Sequence, residues 1–194
     1  MKTVINNLNR ILKVKNSTFY SYAFCNITST SNVSSIIANI SQIHKNAKHI
    51  CYSYRILEDN ILKEFYEEST EPHGSSGLQI YNHLKKEDIV NSLVVIARDF
   101  GGTQLGIGLL SRTYNSATKI VLENNLMNYE KNNIYILKIT NKSFDYFQRN
   151  IELFKINIIE YFFDKSFVIL KISISSSNLE QFKEFIDIIE IKKG

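Results

Sequence analysis

Proline occurs once in the 194 residues, at Pro72, and cysteine twice, at Cys25 and Cys51. Two cysteines without a C-x-x-C spacing exclude a disulfide-stapled scaffold, and Cys51 sits in an alternating apolar pattern, so both read as buried thiols of a cytosolic chain. No apolar run approaches the ~20 residues a membrane span needs. Asparagines interrupt M-K-T-V-I-N-N-L-N-R where a secretory leader needs continuous apolar residues, so a soluble, unprocessed protein without a membrane partner is expected. No charge sign dominates: the net is +4, with 13 basic and 11 acidic residues in 1–130 and 10 and 8 in 131–194. There is no basic tail, and such a balance permits a polyanionic partner without demanding one. His44, His49, His73 and His83 have no metal-ligand spacing, so neither a metal nor a cofactor is predicted.

A hydrophobic content of 44% is enough for a substantial core, in one domain or two small ones. Of the seven glycines, four lie between Gly101 and Gly108, in V-V-I-A-R-D-F-G-G-T-Q-L-G-I-G-L-L-S-R-T-Y from Val94 to Tyr114. An apolar strand there runs into a glycine-rich connection and then a helical pattern from Gly106. Gly101, Gly102, Gly106 and Gly108 permit close backbone approach, and the helix start adds partial positive charge to that of Arg98 and Arg112. With Phe100, these residues are the predicted anion- or nucleic-acid-binding set.

Periodicity predicts strands over Met1–Ile5, Ile11–Lys15, Phe19–Ile27, His49–Leu57, Leu62–Glu67 and Asn91–Ala97, with a turn at Glu58-Asp59-Asn60. A helix capped by Ser31 or Asn32 carries Val33, Ile36, Ile37, Ile40 and Ile43 on one stripe. Ser75 or Ser76 caps a short helix through Leu84, and the long helix covers Gly106–Asn125. Met127–Asn133 reads as a linker. Beyond it, Ile134–Thr140, a helix from Ser143 to Phe154, strands Ile156–Phe163 and Phe167–Ile174, and a helix from Asn178 through Ile189 give the β-α-β-β-α order of a ferredoxin-like domain, with Ile189–Lys193 as a last short strand. An α+β chain of two domains, 1–128 and 132–194, is expected.

Three patches carry a family resemblance: His49, Cys51, Tyr52, Tyr54 and Arg55; then Glu71, Pro72, Gly74 and Gly77; then Arg98, Phe100, Gly101, Gly102, Leu105, Gly106, Gly108, Leu110, Arg112 and Tyr114. In this order and spacing they resemble the IMPACT family, in particular its YigZ-like bacterial branch. The resemblance implies an N-terminal α/β sandwich of the ribosomal protein S5 domain 2-like type, followed by a small domain similar to one in elongation factor G. It also implies regulation of translation through RNA, ribosome or translation-factor binding. Asp99 stands where the family usually has tyrosine, Gln104 where it has lysine and Leu109 where it often has glycine, so the proposed surface carries less positive charge than is typical.

Individual residues leave alternatives open. His49 and Cys51, two apart on a strand, face the same way and form either a thiol–imidazole pair or ordinary packing. Glu67, Glu68 and Glu71 near Pro72 offer a general base, magnesium ligands or a solvated turn, and Glu71 can pin the Pro72-Gly74-Gly77 loop by accepting backbone N–H bonds. His49, Glu71, Pro72, Gly74 and Gly77 are accordingly the loop-shaping or ligand set. Tyr52 and Tyr54 share a face, taken as buried, although exposed they would stack on bases. Two functions fit: a noncatalytic binding protein of the translation apparatus, or a small hydrolase or transferase acting on an anionic substrate. The oligomeric state does not follow from the sequence.

Overall fold

The computed structural model describes residues 1–58 and 61–194, so the expected turn at Asp59 and Asn60 lies outside the described residues. The chain divides into two compact units, Met1–Tyr129 and Glu130–Gly194. The first contains β1 (Lys2–Val4), β2 (Leu8–Val14), β3 (Ser17–Phe24), α1 (Thr30–Ile43), β4 (His49–Glu58), β5 (Ile61–Glu67), α2 (Gly77–Lys86), β6 (Ser92–Asp99), α3 (Ile107–Leu122) and β7 (Leu126–Asn128). Five strands form an antiparallel sheet in the order β2-β3-β6-β4-β5.

The central strand β6 explains the layering. Its residues are buried from Ser92 to Arg98, yet they alternate between two cores. Val94 and Ile96 join Phe19, Cys51, Ile80, Leu84, Leu110, Tyr114 and Val121 under α2 and α3. Leu93, Val95 and Ala97 join Val33 and Ile40 of α1 on the opposite face. A strand buried on both faces reads as a continuous apolar run rather than an alternating one, which is how S-L-V-V-I-A appears in the sequence. This unit is an α/β sandwich.

The expected linker at Met127–Asn133 is partly strand. Leu126–Asn128 pairs with β1 in a separate two-stranded ribbon, because Lys2, Thr3 and Val4 stand opposite Asn128, Met127 and Leu126. Asn125 reinforces it, accepting from the Asn6 N–H at 3.1 Å and donating to the Asn6 carbonyl at 2.9 Å. Tyr52 and Tyr54 face the α1 side of the main sheet, half-buried, with ring centroids 5.9 and 5.7 Å from Phe65.

The second unit has β8 (Asn132–Thr140), α4 (Asn141–Arg149), β9 (Asn157–Asp164), β10 (Phe167–Ser175), α5 (Ser176–Lys183) and β11 (Ile188–Lys193), with the antiparallel order β11-β8-β10-β9. That is the ferredoxin-like arrangement. Its core brings Leu137, Ile139, Val168, Leu170 and Ile172 against Phe144, Phe147, Leu179 and Phe182 of the helices. Both helices start two residues before the predicted caps, since Thr140 and Ser175 are the caps and their hydroxyls accept from the N–H groups of Ser143 and Asn178. The predicted residues are the third helical residues, the first-turn partners of the true caps.

Candidate functional site

The site begins where β6 ends. Val94, Ile96 and Arg98 share the α2/α3 face, so the guanidinium enters the core rather than leaving it. Its Nη1 donates to both carboxylate oxygens of Glu71, at 2.8 and 3.0 Å, and Nη2 donates to the Ser17 hydroxyl at 3.3 Å. The two side chains are only 4% and 3% exposed. Phe19 and Phe100 flank the cation, 5.4 and 5.3 Å from their ring centroids. The expectation that Arg98 presents charge outward is therefore corrected: a charge this deep needs a partner, and Glu71 is it.

Glu71 is likewise not the residue that pins the loop. Its Oε1 also accepts from the Tyr114 hydroxyl at 2.9 Å, so both oxygens point inward. Glu68 shapes the loop instead, accepting from the N–H of Gly74 at 2.8 Å and, more loosely, from those of Ser76 at 3.3 Å and Leu78 at 3.5 Å. The last two are donors at the start of α2, whose N-cap Ser76 makes no side-chain cap bond, so a carboxylate from eight residues before Ser76 complements that helix end. Pro72 contributes its carbonyl to the Ser75 N–H at 3.1 Å. Gly74 adopts φ +76, and Gly77 lies so near the Glu67 backbone that a β-carbon would sit 2.3 Å from its carbonyl oxygen.

Cys51 and His49 share the face of Arg98 but do not form a thiol–imidazole pair. The Cys51 thiol donates to the Glu68 carbonyl at 3.2 Å and lies 3.5 Å from the Tyr114 oxygen. Burial pushes it up to about 12, against an ordinary 9.0, and the Tyr114 phenol is likewise raised by burial. His49 Nδ1 lies 2.8 Å from the Thr70 hydroxyl. Burial lowers the His49 pKa, opposed by Glu71 and reinforced by Arg98 and Lys48.

Native-state alkylation checks this directly. At a given pH the Cys51 thiolate should be about a thousandfold scarcer than that of an ordinary thiol, so iodoacetamide should label half-buried Cys25 and leave Cys51 intact. Equal labelling of the two would contradict the burial described here.

The glycine-rich loop completes the site. Gly101 packs on the turn between β2 and β3, and Gly102 adopts φ +82. Gly106, at φ 74 and ψ 148, is the N-cap of α3, and no side chain caps that helix. A cleft of about 330 Å³ lies here, lined by His49, Glu71, Pro72, Arg98, Phe100, Gln104, Leu105, Gly106, Ile107 and Leu110. Arg112 is exposed one turn into α3, with its Nη1 3.7 Å from where a β-carbon on Gly108 would stand, and it does not line the cleft. The predicted binding set is thus divided: Phe100 and Gly106 at the cleft, Gly101 and Gly102 in the loop, Arg112 and Gly108 on the helix surface, and Arg98 in the floor.

Ser17 and Thr70 were missed from the sequence, while Tyr114 and Glu68 were singled out there without the roles they hold. Tyr114 is fully buried, and its hydroxyl ties Glu71 to the region of Cys51, a role that helical spacing does not reveal. Arg55 is structural: 6% exposed, it donates to the carbonyls of Leu84 and Ile89 at the end of α2 and to Glu64 at 2.7 Å. Among the described residues no three His, Cys, Asp or Glu side chains gather as a metal set, and no helix is long and apolar enough to cross a membrane.

Comparison with known proteins bears on the fold and the family. A crystal structure of a hypothetical protein superposes with a TM-score of 0.66 at 17% identity, covering 95% of this chain and 89% of the other, which speaks for a shared fold. The two-domain translational regulator Yih1 is 20% identical over 63% of this chain and 46% of its own, with a TM-score of 0.36. In sequence, the IMPACT family member YvyE of Bacillus subtilis (strain 168) is 36% identical over 78 residues, which are 40% of this chain and 36% of YvyE. The Impact N-terminal domain model matches residues 15–122, from the turn before β3 to the end of α3, and encloses every residue of the site. More than half of the chain carries that signature, and the chain belongs to the IMPACT family.

Proposed function

We propose that this chain is a noncatalytic binding protein that regulates translation by contacting RNA, the ribosome or a translation factor. The contact face in this reading is the cleft with Phe100, Gly101, Gly102, Gly106 and Gly108, and Arg112 beside it. One observation supports the noncatalytic part above the others: the groups suited to chemistry already engage one another. Glu71 is held by Arg98 and Tyr114, and the Cys51 thiol is buried against the Glu68 carbonyl. Family membership supports the role in translation. A small hydrolase or transferase acting on an anionic substrate is the alternative, and half-buried His49 in the cleft wall is the observation in its favour.

Affinity capture of the full chain from its own cell extract tests the proposal. Ribosomal components or translation factors should be recovered, and a Phe100→Ala/Arg112→Glu double variant should recover at least tenfold less. Nuclease treatment separates RNA-dependent from protein-dependent capture. If Arg112 meets phosphate, the salt dependence of capture should flatten in the variant. Recovery that ignores both substitutions, or that contains nothing of the translation apparatus, would sink the reading.

A further inference from the structure

We propose that the cleft over the Glu71–Arg98 pair receives a single apolar side chain of a protein partner rather than a nucleotide phosphate. This deepens the binding reading above and rests on it. The first reason is charge. Among the described residues Arg98 is the one lysine or arginine that lines the cleft, and Glu71 neutralises it at 2.8 and 3.0 Å while both stay buried. Arg112 lies outside the lining. RNA binding depends largely on cations that meet phosphates, and the one lining cation among the described residues already has its carboxylate.

The second reason is shape and polarity. Pro72, Phe100, Leu105, Ile107 and Leu110 make the wall largely apolar, and Phe100 and Ile107 stay 40% and 62% exposed. At about 330 Å³ the cleft is at the lower end of the roughly 300–1,000 Å³ typical of ligand pockets. That volume suits one large side chain with the backbone flanking it. An aliphatic or aromatic anchor in such a pocket is the usual centre of a protein interface. The polar groups in the wall match a peptide's needs: His49 and Gln104 can bond neutral amides, and the uncapped first turn of α3 offers N–H donors to a carbonyl oxygen.

The test is titration of the ¹⁵N-labelled full chain with N-acetyl-leucinamide and N-acetyl-phenylalaninamide, and separately with AMP and inorganic phosphate. The capped amino acids should shift the amides of His49, Gly106, Ile107 and Leu110 and saturate at about millimolar concentration, as ligands of that size allow. An Ile107→Trp variant, changed at an exposed position, should fill the cleft and weaken the response at least tenfold while amides elsewhere keep their positions. Three results would overturn the proposal: AMP or phosphate moves these amides at equal or lower concentration, no ligand moves them, or the tryptophan variant binds as the wild type does. Failure here with intact capture of translation components removes only the side-chain inference. Saturable binding with no such capture removes the role in translation and leaves the pocket.

Discussion

Replacing Glu71 with alanine should destabilise the first unit by about 3–5 kcal/mol, the usual range when one partner of a buried ion pair is removed. The magnitude follows from position: the Arg98 guanidinium, 4% exposed, would keep only the Ser17 hydroxyl. The Tyr114 hydroxyl would lose its acceptor as well. Native-state hydrogen exchange reports on this unit alone, and the amides of Val94 to Ala97 should exchange roughly a hundredfold to several thousandfold faster. A triple replacement, Arg98→Met with Glu71→Leu and Tyr114→Phe, should recover most of the loss, because apolar groups of similar shape remove the burial penalty together with the pair. If Glu71→Ala costs under about 1 kcal/mol, the cation reaches water and the pair is no lock.

Gly101→Ala is expected to be nearly as damaging, for a steric reason. A β-carbon there would lie 1.7 Å from the carbonyl oxygen of Asn16 and 2.2 Å from its carbonyl carbon, and backbone cannot swing aside as a side chain does. Overpacking commonly costs about 1–3 kcal/mol, and a backbone collision belongs at or beyond the upper end. Gly102→Ala is the control, since open space surrounds it and only its φ of +82 resists the change, at about 1–2 kcal/mol. Thermal unfolding should rank Gly101→Ala below Gly102→Ala. The reverse order would mean that the loop moves off the β2–β3 turn at little cost.

Much of the fold was legible because it is written in short-range pattern. β4 alternates, β6 is continuously apolar and α1 repeats at helical spacing, and each pattern follows from how many faces the element buries. The domain order was legible for the same reason. Long-range pairing was not: nothing in M-K-T-V-I announces that it lies against residues 126–128. The site was legible as a place but not as an electrostatic arrangement. Gly77 and Gly101 sit where a neighbouring backbone comes too near for a β-carbon, a packing reason that the glycines themselves do not name in the sequence. Arg98 misled because a strand-end arginine has two fates, solvent or an interior partner. The choice depends on Glu71, 27 positions away, turning its carboxylate inward. Glu68 takes the loop N–H groups that the sequence offered to Glu71 for the same reason: three residues apart on one loop, the two are distinguished by what surrounds them.

The ribbon of β1 and β7 bears on how the first unit is made. Beside its two strands, Asn6 and Asn125 are joined by hydrogen bonds spanning 119 positions, and β1 also bonds through Lys2 to the backbone of Asp88 and Val90. On an emerging polypeptide residues 2–4 must wait for nearly the entire unit to be synthesised before their partners in β7 exist. Closing so large a loop carries its entropy penalty at the end of assembly, after the five-stranded sheet has all its strands. The ribbon can close only after residue 128 has emerged, when every strand of the main sheet is already available to pair.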